Sequence, residues 1–198
     1  TGNLNEQQDI YIRNIIDGIE EMQGLVQNLL DIGRLESDDS LEITRFSAQK
    51  LIQKIMQGMD AHAKQKNIQM QLNLPAEPIL LEADATFLTQ ALKNLIENAI
   101  KFTNMGGDVI IGVRDNEENV TFSVKDNGIG IAPLDQRHIF EKFQLGSEKT
   151  VGKGQGSRLG LAIVKTIADH HRGKVWFESQ LGKGSTFYFQ IPRKSRVY

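Results

Sequence analysis

The chain of 198 residues contains no cysteine, so disulfide frameworks and thiolate metal sites are excluded. It also lacks an apolar run near the roughly 20 residues that cross a bilayer as a helix, and no signal peptide is expected in it. It has little excess charge: the formal net charge of -2 gives no attraction toward nucleic acid or anionic lipid. No G-x-x-x-x-G-K-[ST] sequence occurs, which removes the P-loop class of nucleotide sites. What remains is a globular composition, 39% hydrophobic and 24% charged, long enough for one well-buried domain with an appendage. A first residue of Thr rather than Met leads us to expect a piece of a longer protein, with any membrane or sensor part upstream.

Residues 5–36 read as one helix. Ile12, Ile15, Ile19, Met22, Val26 and Leu29 alternate spacings of three and four, the a/d seam of a coiled coil. Ile16, Leu25 and Leu30 widen the stripe toward that of a bundle helix, and the acidic stretch 36–40 follows like a linker. A bundle helix without a partner in the chain implies self-association or a missing hairpin partner; packing on its own domain is the plainer reading. Beyond the linker, residues 41–46 alternate as a strand and Ser47 stands as N-cap of a helix to about residue 66. Short strands are expected near 68–74 and 79–82, and Asp84 as cap of a helix to about 102. Residues 108–114 and 119–125 form a hairpin across the polar turn 115–118. A loop at 144–158 leads to a helix over 159–171, and strands at 174–179 and 185–191 flank a Gly-rich turn. Strict β/α alternation is missing, so the expected class is α+β, a two-layer sandwich with a mixed sheet.

Three segments carry chemistry. In 94–103, NLIENAIKFT, the residues Asn94, Asn98 and Lys101 share one stripe at about 100° per residue, opposite the core face of Leu88, Leu92, Leu95 and Ala99. Asparagine is a poor helix former, so two of them a turn apart suggest amide ligands for Mg²⁺ beside a lysine for phosphate. A solvated amphipathic face is the alternative. In 126–131, DNGIGI, Asp126 at a strand end can accept from an exocyclic amine, Gly128 and Gly130 permit close backbone approach, and Ile131 offers an apolar wall. An ordinary turn also favours these residues. In 152–161, GKGQGSRLGL, small residues precede a helix whose first amides could hold phosphates, whereas a flexible surface loop is the simpler reading.

In this order the segments resemble the ATP-binding catalytic domain of sensor histidine kinases. Its asparagine helix, aspartate–glycine box, phenylalanine box and second glycine box are matched here by NLIENAIKFT, DNGIGI, IFEKF (139–143) and GSRLGLAIVK (156–165), and GKGSTFYFQIP by its closing hairpin. The resemblance covers residues 41–198, and residues 1–37 resemble the second helix of the family's dimerisation and phosphotransfer hairpin. It implies the Bergerat-type fold and the cofactors ATP and Mg²⁺. It implies Asn98 on the metal, Asn94 and Lys101 near the phosphates, and Phe102 beside the nucleotide. It implies Asp126 on the adenine amine, with Gly128, Gly130 and Ile131 shaping the pocket. Gly154, Gly156, Ser157, Arg158, Leu159, Gly160 and Leu161 fall on the lid and its junction with the helix. Phe140 and Phe143 are expected to anchor that lid.

The implied function is transfer of the γ-phosphate of ATP to a histidine, for relay to a response-regulator aspartate. A homodimer, a cytoplasmic location and no nucleic-acid partner go with it, with membrane attachment through upstream segments if at all. Arg158 departs from the family's usual glycine, and an arginine common after the phenylalanine box is missing around Gln144-Leu145-Gly146. Arg158 is expected to replace it in part. The histidines are His62, His138, His170 and His171, and none sits in an acceptor helix; His170 and His171 are expected as cations at a helix C-terminus. The hydrolytic relatives place a glutamate base where Asn94 stands, and Glu97 lies about 60° off the stripe, which favours transfer. A serine kinase of the anti-sigma type and a non-catalytic nucleotide-binding or dimerisation module are the alternatives.

Overall fold

A computed structural model describes residues 41–141 and 159–194, with scattered positions between 5 and 33. At residues 7, 8, 11, 12, 15, 16, 18, 19, 22, 26 and 33 the backbone is helical. Of the apolar stripe, Ile12, Ile15, Ile16, Ile19, Met22 and Val26 are exposed there, and Leu25, Leu29 and Leu30 lie outside the described residues.

The first strand, β1 (Ile43–Ser47), runs into α1 (Ala48–Gln65). Ser47 is the N-cap, its side chain accepting from the Lys50 amide. At the other end Asn67 takes φ 52°, so that Ile68 N–H reaches Ala63 O and Asn67 N–H reaches Lys64 O, a Schellman closure. β2 (Gln69–Asn73) and β3 (Leu80–Asp84) follow, then α2 (Ala85–Phe102). Asp84 caps α2 by accepting from the Thr86 and Phe87 amides at 2.9 and 3.0 Å. The hairpin β4 (Asp108–Asp115) and β5 (Asn119–Asp126), α3 (Gly160–His170), β6 (Lys174–Gln180) and β7 (Gly184–Pro192) complete the order.

The main sheet has the order β2-β4-β5-β7-β6, with β2 parallel to β4 and the other pairs antiparallel. β1 and β3 form a separate two-stranded antiparallel pair. The two strands expected on either side of Pro75 and Pro78 thus enter different sheets. Alternation along β5 and β7 turns Val120, Phe122, Val124, Phe187, Phe189 and Ile191 toward the core. Thr121, Ser123, Tyr188 and Gln190 occupy the intervening positions; Gln190 bonds Thr121 and Tyr188 stacks on Trp176. Helices α1, α2 and α3 bury Ile52, Ile55, Leu88, Leu92, Leu95, Ile163 and Ile167 in the same core, giving two layers.

Candidate nucleotide site

The polar stripe and core stripe of α2 separate as the spacing requires. Leu92, Leu95, Ile96 and Ala99 are buried, while Asn94, Asn98 and Lys101 are half-buried. Asn94 faces the start of α3: an added Cβ at Gly160 would stand 3.6 Å from both Cγ and Oδ1 of Asn94. The Nδ2 of Asn94 is buried with no hydrogen-bond partner among the described residues, an uncommon state that a ligand oxygen would relieve. Leu159, the N-cap of α3, offers no side-chain cap, so the first amides of this helix receive no side-chain acceptor from it. The asparagine helix and the second glycine box therefore meet at a helix N-terminus suited to an anion. At the end of α2, Lys101 Nζ lies 5.5 Å from the ring centroid of Phe102, itself 45% exposed.

Asp126 ends β5 and is buried. Its Oδ1 accepts from Gly128 N–H at 2.9 Å and Ser185 N–H at 3.2 Å. Burial pushes this carboxyl up from the ordinary aspartate range, against the pull of those two amides. Among the described residues no hydrogen bond is recorded at Oδ2, which leaves it for a ligand donor. The two glycines of the box admit the close approach of the chain's own backbone. A Cβ at Gly128 would stand 2.2 Å from the Phe102 carbonyl, and one at Gly130, where φ is 65°, 2.1 Å from the Gln180 carbonyl. The loop is thus wedged between the end of α2 and the β6–β7 hairpin, held by Ile129 N–H to Phe102 O at 3.1 Å.

Three residues that the motifs did not single out support this loop, and a fourth supports the end of α2 beside it. Ser185 supplies an amide to Asp126. Ser179 Oγ accepts from Ile131 N–H at 2.8 Å and bonds Ser185 Oγ at 2.9 Å. Gln136 Nε2 donates to Ile131 O at 2.9 Å. Lys66 Nζ reaches the carbonyls of Ile100 and Lys101 at 3.0 and 2.6 Å, and burial lowers this ammonium from the usual lysine value. Ser185 stands in the closing segment that marks the resemblance and Ser179 in the strand before it; nothing in the sequence marks Lys66.

Phe140 packs edge-on against Phe177 at 5.9 Å, at the edge of the core. Gly154, Gly156, Ser157, Arg158 and Phe143 lie outside the described residues. Gly160, Leu161 and Leu159 are placed at the start of α3, beside Asn94 in the case of Gly160. Desolvation raises the Glu97 carboxyl, with Lys93 of α2 and His62 of α1 as its neighbours. Among the described residues no group of three His, Cys, Asp or Glu side chains comes together as a metal cluster.

One expectation is corrected. His171 does not act as a solvent-exposed cation at the end of α3; it is 2% exposed. Its Nδ1 bonds Ile167 O at 2.9 Å and its Nε2 accepts from Asp84 N–H at 3.2 Å. That pattern needs the neutral ring with the proton on Nδ1, and burial lowers its pKa accordingly.

Comparison with known proteins places this geometry. The family described as histidine kinase-, DNA gyrase B-, and HSP90-like ATPase matches residues 83–195. The circadian input-output histidine kinase CikA of Synechococcus elongatus is 33% identical over 199 residues, covering 99% of this chain and 26% of CikA. The chain thus spans about a quarter of that relative. The solved catalytic domain of histidine kinase ThkA aligns with a TM-score of 0.69 at 31% identity, over 78% of this chain and 99% of that domain. ThkA in complex with the response regulator protein TrrA aligns at 0.76 and 28% identity, over 97% of this chain and 53% of that one. Full-length ShkA in complex with AMPPNP aligns at 0.79 and 28% identity, over all of this chain and 41% of ShkA. With Asp126, the asparagine stripe and the α3 terminus in these positions, the chain belongs to the histidine kinase-, DNA gyrase B- and HSP90-like ATPase family and carries the ATP-binding catalytic domain of a histidine kinase.

Proposed function

We propose that this chain is the catalytic core of a sensor histidine kinase, passing the γ-phosphate of ATP to a histidine on a dimerisation helix. The observation that carries the reading is the unsatisfied Asn94 amide facing the N-terminus of α3. In this reading Asp126 accepts the adenine amine, with Phe102 and Ile131 as apolar walls. Lys101 and the first amides of α3 hold the phosphates, and Arg158 adds charge from the lid. Gly154, Gly156, Ser157, Leu159, Gly160 and Leu161 form the lid and its junction.

Asn98, with Asn94 beside it, would hold Mg²⁺. An amide donor set without a carboxylate cluster suits a hard cation whose other ligands are phosphate oxygens and water. When bound, the ion supplies positive charge against the phosphate oxygens. The chain's own residues then orient ATP and neutralise its charge, and the attacking group is an imidazole nitrogen from outside this domain. The phosphorus–nitrogen bond forms as the bond from phosphorus to the bridging oxygen breaks, and ADP leaves. An amide at position 94 cannot deprotonate water, which favours transfer over hydrolysis.

The domain division follows: residues 1–37 as the second helix of the dimerisation hairpin and 41–198 as the catalytic domain. Six exposed apolar stripe residues support pairing with a second copy and with the hairpin's first helix. The ThkA complex with TrrA supports a receiver domain as the next acceptor. No described helix is long and apolar enough to cross a membrane; a cytoplasmic site of action is the matching proposal.

The test is to mix this chain with γ-labelled ATP and a hairpin fragment of the parent protein. Acid-labile, base-stable label on the hairpin is expected. Acid-stable label would instead mark a serine kinase, and nucleotide binding with no label a non-catalytic module.

A further inference from the structure

The C-terminus of α2 carries both Lys101 and Phe102, and its last four carbonyls have no partner within the helix. Each is nevertheless satisfied. Ala99 O accepts from Thr103 N–H at 3.0 Å and from Thr103 Oγ1 at 2.6 Å. Phe102 O accepts from Ile129 of the adenine loop. The two between them, Ile100 O and Lys101 O, accept from one ammonium, Lys66 Nζ, which also lies 3.4 Å from Thr103 O.

Lys66 is held from its own side. It is the C-cap of α1, fixed by the Schellman closure at Asn67, and its carbonyl accepts from Gly106 N–H at 3.1 Å. One turn further, Gln69 N–H bonds Gly107 O at 2.9 Å. The strand entry after α1 and the turn after α2 are thereby sewn together. A cation against the negative end of a helix is favoured, and ammonium–carbonyl bonds are charge-assisted. The backbone carbonyl of Lys101 is therefore fixed by Lys66, and its side chain lies beside the Phe102 ring.

We infer that Lys66 is a positioning residue for nucleotide binding: its ammonium ties the end of α2 so that Lys101 and Phe102 stay aimed at ATP. This rests on the reading of Lys101 and Phe102 as nucleotide-facing groups. Lys66 itself touches neither substrate nor metal in this scheme. Its reach is longer than the sequence shows, since it acts 35 positions away along the chain.

The experiment is an ATP·Mg²⁺ titration by calorimetry on the full chain, at a temperature well below each variant's unfolding midpoint. Lys66→Met is expected to weaken ATP about tenfold, and Lys66→Arg to stay within about threefold of wild type. Lys54→Met, an exposed charge loss on α1, controls for general electrostatic attraction. In a Lys101→Met background, Lys66→Met should cost no more than about a further threefold, because of the two groups it positions only Phe102 remains. Unchanged affinity in Lys66→Met, an Arg variant as weak as the Met one, or a larger further loss in the Lys101→Met background overturns the inference. If Lys66→Met does not fold, Lys66→Gln is read by the same criteria. Failure of wild type to bind ATP would instead remove the functional reading beneath it, which keeps the two failures distinguishable.

Discussion

Replacing Asp126 by Asn separates binding from folding at the proposed adenine site. Asn retains Oδ1, so the bonds from Gly128 N–H and Ser185 N–H survive. At the Oδ2 position it presents an NH₂ group, and the adenine amine then meets a donor instead of an acceptor. The lost charge-assisted bond is worth about 1.5–3 kcal/mol and the unmatched donor about 1–3 kcal/mol. A combined loss of about 3–4 kcal/mol raises the ATP Kd by roughly two to three orders of magnitude. Stability moves the other way. The folded carboxyl is raised by burial, so above the unfolded value the native state binds more protons than the unfolded one. Its stability therefore falls as pH rises through that window, and stays lower above it. Asp126→Asn removes this liability, so at neutral pH its urea midpoint should equal or exceed that of wild type, with the difference vanishing at acid pH. ATP titration and urea unfolding on the same preparations check both halves. Undiminished ATP affinity, or a loss of affinity that merely tracks a collapsed fold, would refute the reasoning.

Two further outcomes follow from the site and its supports. His171 is buried neutral, so the unfolded chain takes up the proton first as pH falls below about 6.5. Wild-type stability should decline from there until the lowered folded pKa is reached, whereas His171→Gln, which keeps an acceptor for Asp84 N–H, should flatten that part of a pH series of urea melts. If Arg158 contributes charge to the triphosphate, Arg158→Ala weakens ATP about tenfold while leaving adenosine binding unchanged; calorimetry with both ligands reads the difference.

Local signals in the sequence carried much of this structure. Ser47 and Asp84 cap the helices expected of them because an N-cap bond spans only two or three residues. The stripe of Asn94, Asn98 and Lys101 separates from Leu92 and Leu95 because helical periodicity alone fixes it. What depends on distant partners was not legible. The parallel pairing of β2 with β4, and the diversion of β3 to β1, are settled by packing across intervening elements. The neutral state of His171 depends on a backbone amide 87 positions away. The spacing of Gly128 and Gly130 points to a close approach, and in the fold the carbonyls of Phe102 and Gln180 approach there. A glycine box announces a close approach without saying what approaches. Ser179 and Ser185 likewise gain their roles only when the closing hairpin folds beside β5.

The most direct measurement of the central claim is a calorimetric comparison of ATP and GTP with Mg²⁺ on the wild-type chain. Guanine carries a carbonyl where adenine carries its amine, so Oδ2 of Asp126 would face an acceptor. We expect saturable binding of ATP at one site per chain, with GTP weaker by about a hundredfold or more. Equal affinity for the two nucleotides, or no binding of ATP, would contradict the assignment of Asp126 and the asparagine stripe to a nucleotide site.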